Sequence, residues 1–262
     1  FELYLKDLKL PNEISFDTLA KRSSQLTGAD IANIANQAKI NAINRGSINK
    51  EIIIADLNNA LDEVMIGREK KERTLSKIEL ERVAHHEAGH ALMGYLLKSC
   101  NPPLKVSIVP RGQSALGFSQ PKPDDLKLYT DKKILSQISV LLGGRMAEKL
   151  IYGSLSTGAS DDIEKVSRLA YQYHNSWGMD NDTGPLNIES MGKLNSQLSQ
   201  DMFQKCQELV SDLESFTYKT LNTYKSYVEV IATKLLEDNT IIYDTFKELV
   251  PINLESSLSL EL

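Results

Sequence analysis

Cysteine is nearly missing from this chain. Only Cys100 and Cys206 occur in 262 residues, and neither belongs to a C-x-x-C pair. That leaves no disulfide framework, and both are expected to be buried reduced thiols. Long apolar runs are missing too: none approaches the ~18 residues needed to cross a bilayer. There is no excess of positive charge, since 30 Lys and Arg stand against 35 Asp and Glu for a net charge of −5. No basic field calls for nucleic acid, and no nucleic-acid partner is expected. No G-x-x-x-x-G-K-[ST] loop occurs, so nucleotide phosphates find neither a backbone cradle nor a lysine. The chain alone is therefore not expected to hydrolyse ATP. Repeats and low-complexity tracts are absent. The chain opens on FELYLKDLKLP with no initiator Met, and we expect a fragment of something longer.

What is present reads as mainly α-helix with a small β component. The length fits one large domain or two modest ones. A short helix is expected over Ser15–Lys21. Thr27-Gly-Ala-Asp30 has the form of a capping box, followed by Ile31, Ile34, Ala35, Ala38 and Ala42 at helical spacing, with Gly46 as the stop. Leu57, Ala60, Leu61 and Val64 make a third stripe, closed by Gly67. The mixed charges of Arg68–Arg73 read as a solvated linker.

A second unit begins at Ser76-Lys-Ile-Glu79, another capping box. Its helix is expected to place Val83, His86, His90 and Leu97 on one side. Strands are expected at Val106–Val109 and Ala115–Gln120, around a Pro110-Arg-Gly112 turn. Gly117 inside the second strand points to close approach of another backbone. Thr130–Tyr152 reads as a helix containing Gly143-Gly144. That pair costs roughly 2 kcal/mol in propensity, so tight packing is expected there. Ser160 or Thr157 is expected to cap a helix running to about Tyr173. Helical spacing returns from Ser196 to about Leu249, with a break near Asp238-Asn239 and a frayed tail after Pro251.

The chemistry concentrates in His86-Glu87-Ala88-Gly89-His90. Residues i and i+4 of a helix lie one turn apart on one face, so two imidazoles can reach one zinc ion. Glu87 stands beside them as a base for a zinc-bound water. Three of the four histidines of the chain fall within Glu81–His90. Two histidines can also share a helix for packing alone, but the clean upstream cap and the small Ala88 and Gly89 favour a metal face. His85 lies about 100° around the helix from His86 and should not share the ion. A catalytic zinc takes three protein ligands and an open position. The metzincin continuation is excluded, because Met93 and Leu96 stand where Gly and His are required. Glu148 and the pair Asp161-Asp162 remain as candidates. A short carboxylate at a helix start suits a rigid ligand, which favours Asp162 or Asp161 over Glu148.

These segments together resemble FtsH-type membrane-anchored AAA+ zinc proteases. HHEAGHAL, VSIVPRG with ALGF, LLGGRMAEKLIYG, STGASDDIEKVSRLA, and WGM with GPL occur in the order found in that family. Upstream, LTGADIANIANQAKINA resembles the helical lid of its ATPase module. The likeness runs from about Lys6 to Leu249, and LKVSIVPRG and LYT are most similar to the mitochondrial branch.

The resemblance implies a helical AAA+ lid over 1–69, a linker over 70–75, a mostly helical zinc-peptidase domain over 76–251 and a tail over 252–262. It implies His86, His90 and Asp162 as zinc ligands and Glu87 as general base. Glu148 would be a supporting residue, with Asp161 beside the metal where the family has Asn. The strand containing Ala115, Leu116, Gly117 and Phe118 would receive substrate. It further implies ATP and Mg2+ only in the full-length protein, homo- or hetero-hexamers, unfolded polypeptide substrates, and membrane attachment through segments absent here. The place implied is an organelle inner membrane, mitochondrial with the active site on the matrix side, or alternatively a plastid or bacterial inner membrane. Two other readings compete: a catalytically silent assembly or chaperone module, and a zinc hydrolase of small molecules.

Overall fold

Capping boxes start both long N-terminal helices of the chain. In this computed structural model, Thr27 accepts the backbone N–H of Asp30 while Asp30 reaches back to Thr27, and Ser76 and Glu79 repeat the exchange. The structure describes residues 1–6, 16–23, 26–47, 51–65, 67–69, 75–111, 116–122, 128–180, 184–191 and 196–251. Residues 70–74 of the linker expected over 70–75, Gly112, Ala115 and the tail over 252–262 lie outside the described residues.

The chain divides into two units, the first comprising 1–74 with 109–116 and 123–125, the second the remainder. The first holds α1 (Glu2–Leu5), α2 (Phe16–Arg22), α3 (Gly28–Asn44) and α4 (Ile54–Met65). Ile34, Ala35, Ala38 and Ala42 of α3 pack on Leu57, Ala60 and Leu61 of α4, with Leu5, Leu19 and Ile52 completing the core. Ile31 sits at the margin and is only half-buried. Gly46 and Gly67 both take positive φ just past the helices they end.

The second unit is built around α5 (Lys77–Leu96), which is buried on all sides from His86 onward. Around it lie α6 (Asp131–Tyr152), α7 (Ser160–Asn175), α8 (Ser196–Thr223), α9 (Lys225–Asp238) and α10 (Tyr243–Leu249). A small antiparallel sheet has the order β2–β1–β3, from β1 (Pro103–Ser107), β2 (Phe118–Pro121) and β3 (Thr240–Ile242).

Several elements differ from the sequence reading. β1 starts at Pro103 and ends before Val109. A proline is tolerated there because it is the first residue of the strand. β2 begins only at Phe118, so Leu116 and Gly117 precede it. Leu97 does not belong to the helix face of His86; it caps α5 in extended conformation. Neither Ser160 nor Thr157 caps α7, whose N-cap is Ala159 with no side-chain bond; Thr157–Ala159 is instead a 3₁₀ turn capped by Ser156. The helical stretch after Ser196 breaks at Tyr224 as well as at Asn239, and Asn239 adopts the left-handed conformation before β3.

The glycine pair explains how α5 and α6 approach. A Cβ on Gly89 would stand 2.3 Å from the carbonyl oxygen of Gly143, and one on Gly143 would stand 2.7 Å from that of Gly89. The helices cross backbone to backbone at this point, which offsets the propensity cost of the two glycines.

Candidate metal centre

The crossing of α5 and α6 sets the geometry of the site. Gly144 leaves room for the His86 ring: a Cβ there would meet its Nε2 at 2.5 Å. α7 supplies Asp162 from the other side. The Nε2 atoms of His86 and His90 are 3.0 Å apart, and Oδ2 of Asp162 lies 3.3 and 3.2 Å from them. All three residues are buried or nearly so.

The proton positions follow from the partners behind the rings. His90 Nδ1 lies 2.7 Å from the Val140 carbonyl, which only accepts, so Nδ1 carries the hydrogen. His86 Nδ1 donates in the same way to Glu148 Oε1 at 2.9 Å. Both Nε2 lone pairs therefore turn inward, onto a carboxylate oxygen. Three acceptors converge on one point, and only a cation or a proton satisfies them. The three atoms are close enough together that His86, His90 and Asp162 could all hold one zinc ion at its usual ~2.0–2.1 Å bond lengths. The donor set of two imidazoles and one carboxylate thus fits zinc.

The electrostatics agree. Burial works against charge on the His86 ring, but hydrogen bonds to Asp162 and Glu148 outweigh it and push its pKa up to about 10. Burial would raise Asp162, yet hydrogen bonds with His86 and His90 hold it well below the usual carboxylate range. Glu148 is likewise opposed by burial and pulled down to about 2 by His86, Ser156 and Arg82. Glu87 moves the other way: desolvation raises it, against the pull of His90 and His86. Burial thus makes the Glu87 carboxylate a stronger proton acceptor than an exposed one.

The structure brings His86, His90 and Asp162 together, with Glu148 behind His86. Asp161 stays outside, with its side chain 73% exposed and paired with Lys165 one turn along α7. His85 also stays outside, hydrogen-bonded to the Glu81 carbonyl and the Tyr152 hydroxyl. Gly117 does meet a close approach, though the neighbours are the Glu87 side chain and the Ser107 carbonyl, each 2.8 Å from an added Cβ. Two contributors escape the sequence reading. Arg82 donates to Glu148 Oε2 at 3.0 Å and to the Ser154 carbonyl at 3.2 Å. Its place one turn before His86 was the available signal. Ser156 bonds Glu148 from a loop that no periodicity marks.

Comparison with known proteins agrees with this geometry. The family model described as peptidase family M41 matches residues 73–249. The ATP-dependent zinc metalloprotease FtsH of Rhodothermus marinus is 33% identical, covering 92% of this chain and 36% of that protein. The mitochondrial ATP-dependent zinc metalloprotease FTSH 3 of Oryza sativa subsp. japonica is 36% identical, covering 97% and 34%. The mitochondrial FTSH 10 of Arabidopsis thaliana is also 36% identical, over 93% and 31%. The chain thus spans about a third of the length of the curated relatives it matches. With a family model over most of its length and relatives at about a third identity over nearly all of it, the chain belongs to peptidase family M41.

Proposed function

We propose that this chain is the zinc-dependent endopeptidase portion of an ATP-dependent, membrane-anchored AAA+ protease that degrades unfolded or membrane polypeptides. The observation that carries the reading is the convergence of two Nε2 lone pairs and one carboxylate on a single point, with both ring tautomers set from behind. His86, His90 and Asp162 hold the ion. Zinc, when bound, lowers the pKa of water towards 7 and polarises a carbonyl. Glu87 takes a proton from the attacking water; the water oxygen bonds to the scissile carbon, the C–N bond breaks, and Glu87 returns the proton to the leaving nitrogen. Glu148 keeps His86 in the ligating tautomer.

β2 supports the substrate assignment. Among the described residues it pairs with β1 alone, and an extended peptide can add to its other edge through backbone hydrogen bonds. Phe118 belongs to that strand, with Leu116 and Gly117 leading into it. Such pairing reads backbone, so cleavage should be broad in sequence.

Residues 1–69 are the lid of an ATPase module lying mainly outside this chain, and 76–251 is the peptidase domain. The whole protein works as a homo- or hetero-hexamer in an inner membrane, with its active site in the mitochondrial matrix. The names of the plant relatives support that compartment. No helix among the described residues is long and apolar enough to cross a membrane.

The test is to load the chain with zinc and offer an unfolded and a tightly folded protein. One zinc per chain and cleavage of the unfolded substrate only are expected. In Glu87→Gln, zinc should stay and cleavage should vanish. Zinc binding without cleavage in the parent chain, under conditions where it assembles, would sink the reading in favour of a silent assembly module.

A further inference from the structure

Glu148 is a hub with more partners than one ligand needs. Its Oε1 accepts from His86 Nδ1 at 2.9 Å and from the Ser156 hydroxyl at 3.0 Å, and its Oε2 accepts from Arg82. Ser156 is the unusual member. Its oxygen also accepts the backbone N–H of Gly158 at 3.1 Å, capping the 3₁₀ turn Thr157–Ala159. That turn leads straight into α7, and α7 has no side-chain cap of its own. Asp162 is its third residue.

We propose that Ser156 is a positioning residue of the metal centre, its single hydroxyl tying the carboxylate behind His86 to the turn that launches Asp162. The proposal rests on the reading of His86, His90 and Asp162 as zinc ligands. A cap alone requires only the Gly158 bond. The second bond, to a carboxylate that is 1% exposed, serves no helix terminus. It joins two ligands that stand 76 residues apart in sequence.

The register of α7 matters because neighbouring helix positions differ by about 100°. Rotating α7 by one residue would exchange Asp162 for Asp161, which now faces solvent. Gly158 shows how little slack the relay has: a Cβ there would lie 3.2 Å from the Ser156 oxygen and 3.9 Å from Glu148 Oε1.

The experiment compares Ser156→Ala and Ser156→Thr with the parent chain. Zinc affinity is read by competition with a chromophoric chelator, coordination by the visible absorption of the cobalt(II)-substituted protein, and folding by far-UV circular dichroism of the chelated protein. Ser156→Ala should bind zinc about 10–100-fold more weakly, with changed cobalt bands and unchanged helix content. Ser156→Thr retains the hydroxyl and should stay within about threefold of the parent. Parent-like zinc affinity in Ser156→Ala overturns the proposal, as does equal weakening in Ser156→Thr. If Ser156→Ala does not fold, Gly158→Ala decides. It crowds the same oxygen without deleting it, and unchanged zinc affinity and cobalt bands there would also overturn the proposal. A parent chain that binds no zinc strikes the functional reading itself, which separates the two failures.

Discussion

The two units bury charge in opposite ways. In the first, the Asp62 side chain is fully buried between Arg22 and Arg111, each at 3.5 Å, and Asp56 lies against Arg45 at 3.0 Å while accepting the Ile53 N–H. Each buried carboxylate there has a guanidinium against it. In the second, His86, Glu87, His90 and Glu148 are all buried, and the inward-facing atoms of the cluster are acceptors. Paired opposite charges hold a fold together, as Arg82 does for Glu148 in the second unit too; there, however, the Nε2 atoms of His86 and His90 and Oδ2 of Asp162 also converge on one point, a place for a cation or a proton. The same residue types are structural in one unit and chemical in the other, and tautomer and pairing tell them apart.

The largest break in that contrast should come from Glu87→Gln. Peptide cleavage should fall by about 10²–10⁴-fold, while zinc content and thermal stability hold, because only the proton acceptor is lost. The mirror experiment in the first unit is Asp62→Ala. It takes the buried carboxylate away from the guanidinium groups of Arg22 and Arg111 and should cost about 3 kcal/mol in urea unfolding, with zinc affinity unchanged. Zinc loss in that variant would erase the distinction between the units.

Gly144→Ala is a subtler probe. Its methyl would press on the His86 ring, and overpacking of this kind costs about 1–3 kcal/mol. Zinc affinity should fall, and a crystal structure should show the ring displaced.

The pH dependence follows from His86. Its pKa in the folded metal-free protein, about 10, lies above its ordinary value near 6.5. The stability it contributes is fully present below about 6.5 and is lost as pH rises towards 10. Chelated protein should therefore melt at progressively lower temperature from pH 7 to 10, and zinc should remove most of that slope. An equal slope with zinc bound would contradict the assignment of His86 as a ligand. The smallest effect belongs to Asp161→Asn: the side chain is exposed and its partner lies on the same helix, so zinc affinity and cleavage rate should change less than about twofold.

Much of this was legible in the chain. Both capping boxes could be read because a cap and its partner lie three residues apart. The His86–His90 pair could be read for the same reason, a helix placing residues four apart side by side. The tight packing at Gly143-Gly144 was legible from the propensity cost alone, and its partner Gly89 was not. The short strands fared worse. β1 takes its limits from pairing with β2 and with β3, the latter more than a hundred residues on, and β3 is too short to show a period. The cap of α7 was misplaced because Ser156 acts through an intervening turn.

The sequence by itself determined the helices, the two inward imidazoles and the base beside them, since each is a matter of spacing within one turn. The tertiary structure alone decided the third member of the cluster. Asp161 and Asp162 are adjacent and chemically equal, and Glu148 has the same carboxylate. Which of them meets the histidines depends on the crossing at Gly89 and Gly143 and on the rotation of α7 as it leaves the Ser156 turn. Residues 62 and 76 positions from His86 were placed there by packing, and no local pattern records that distance.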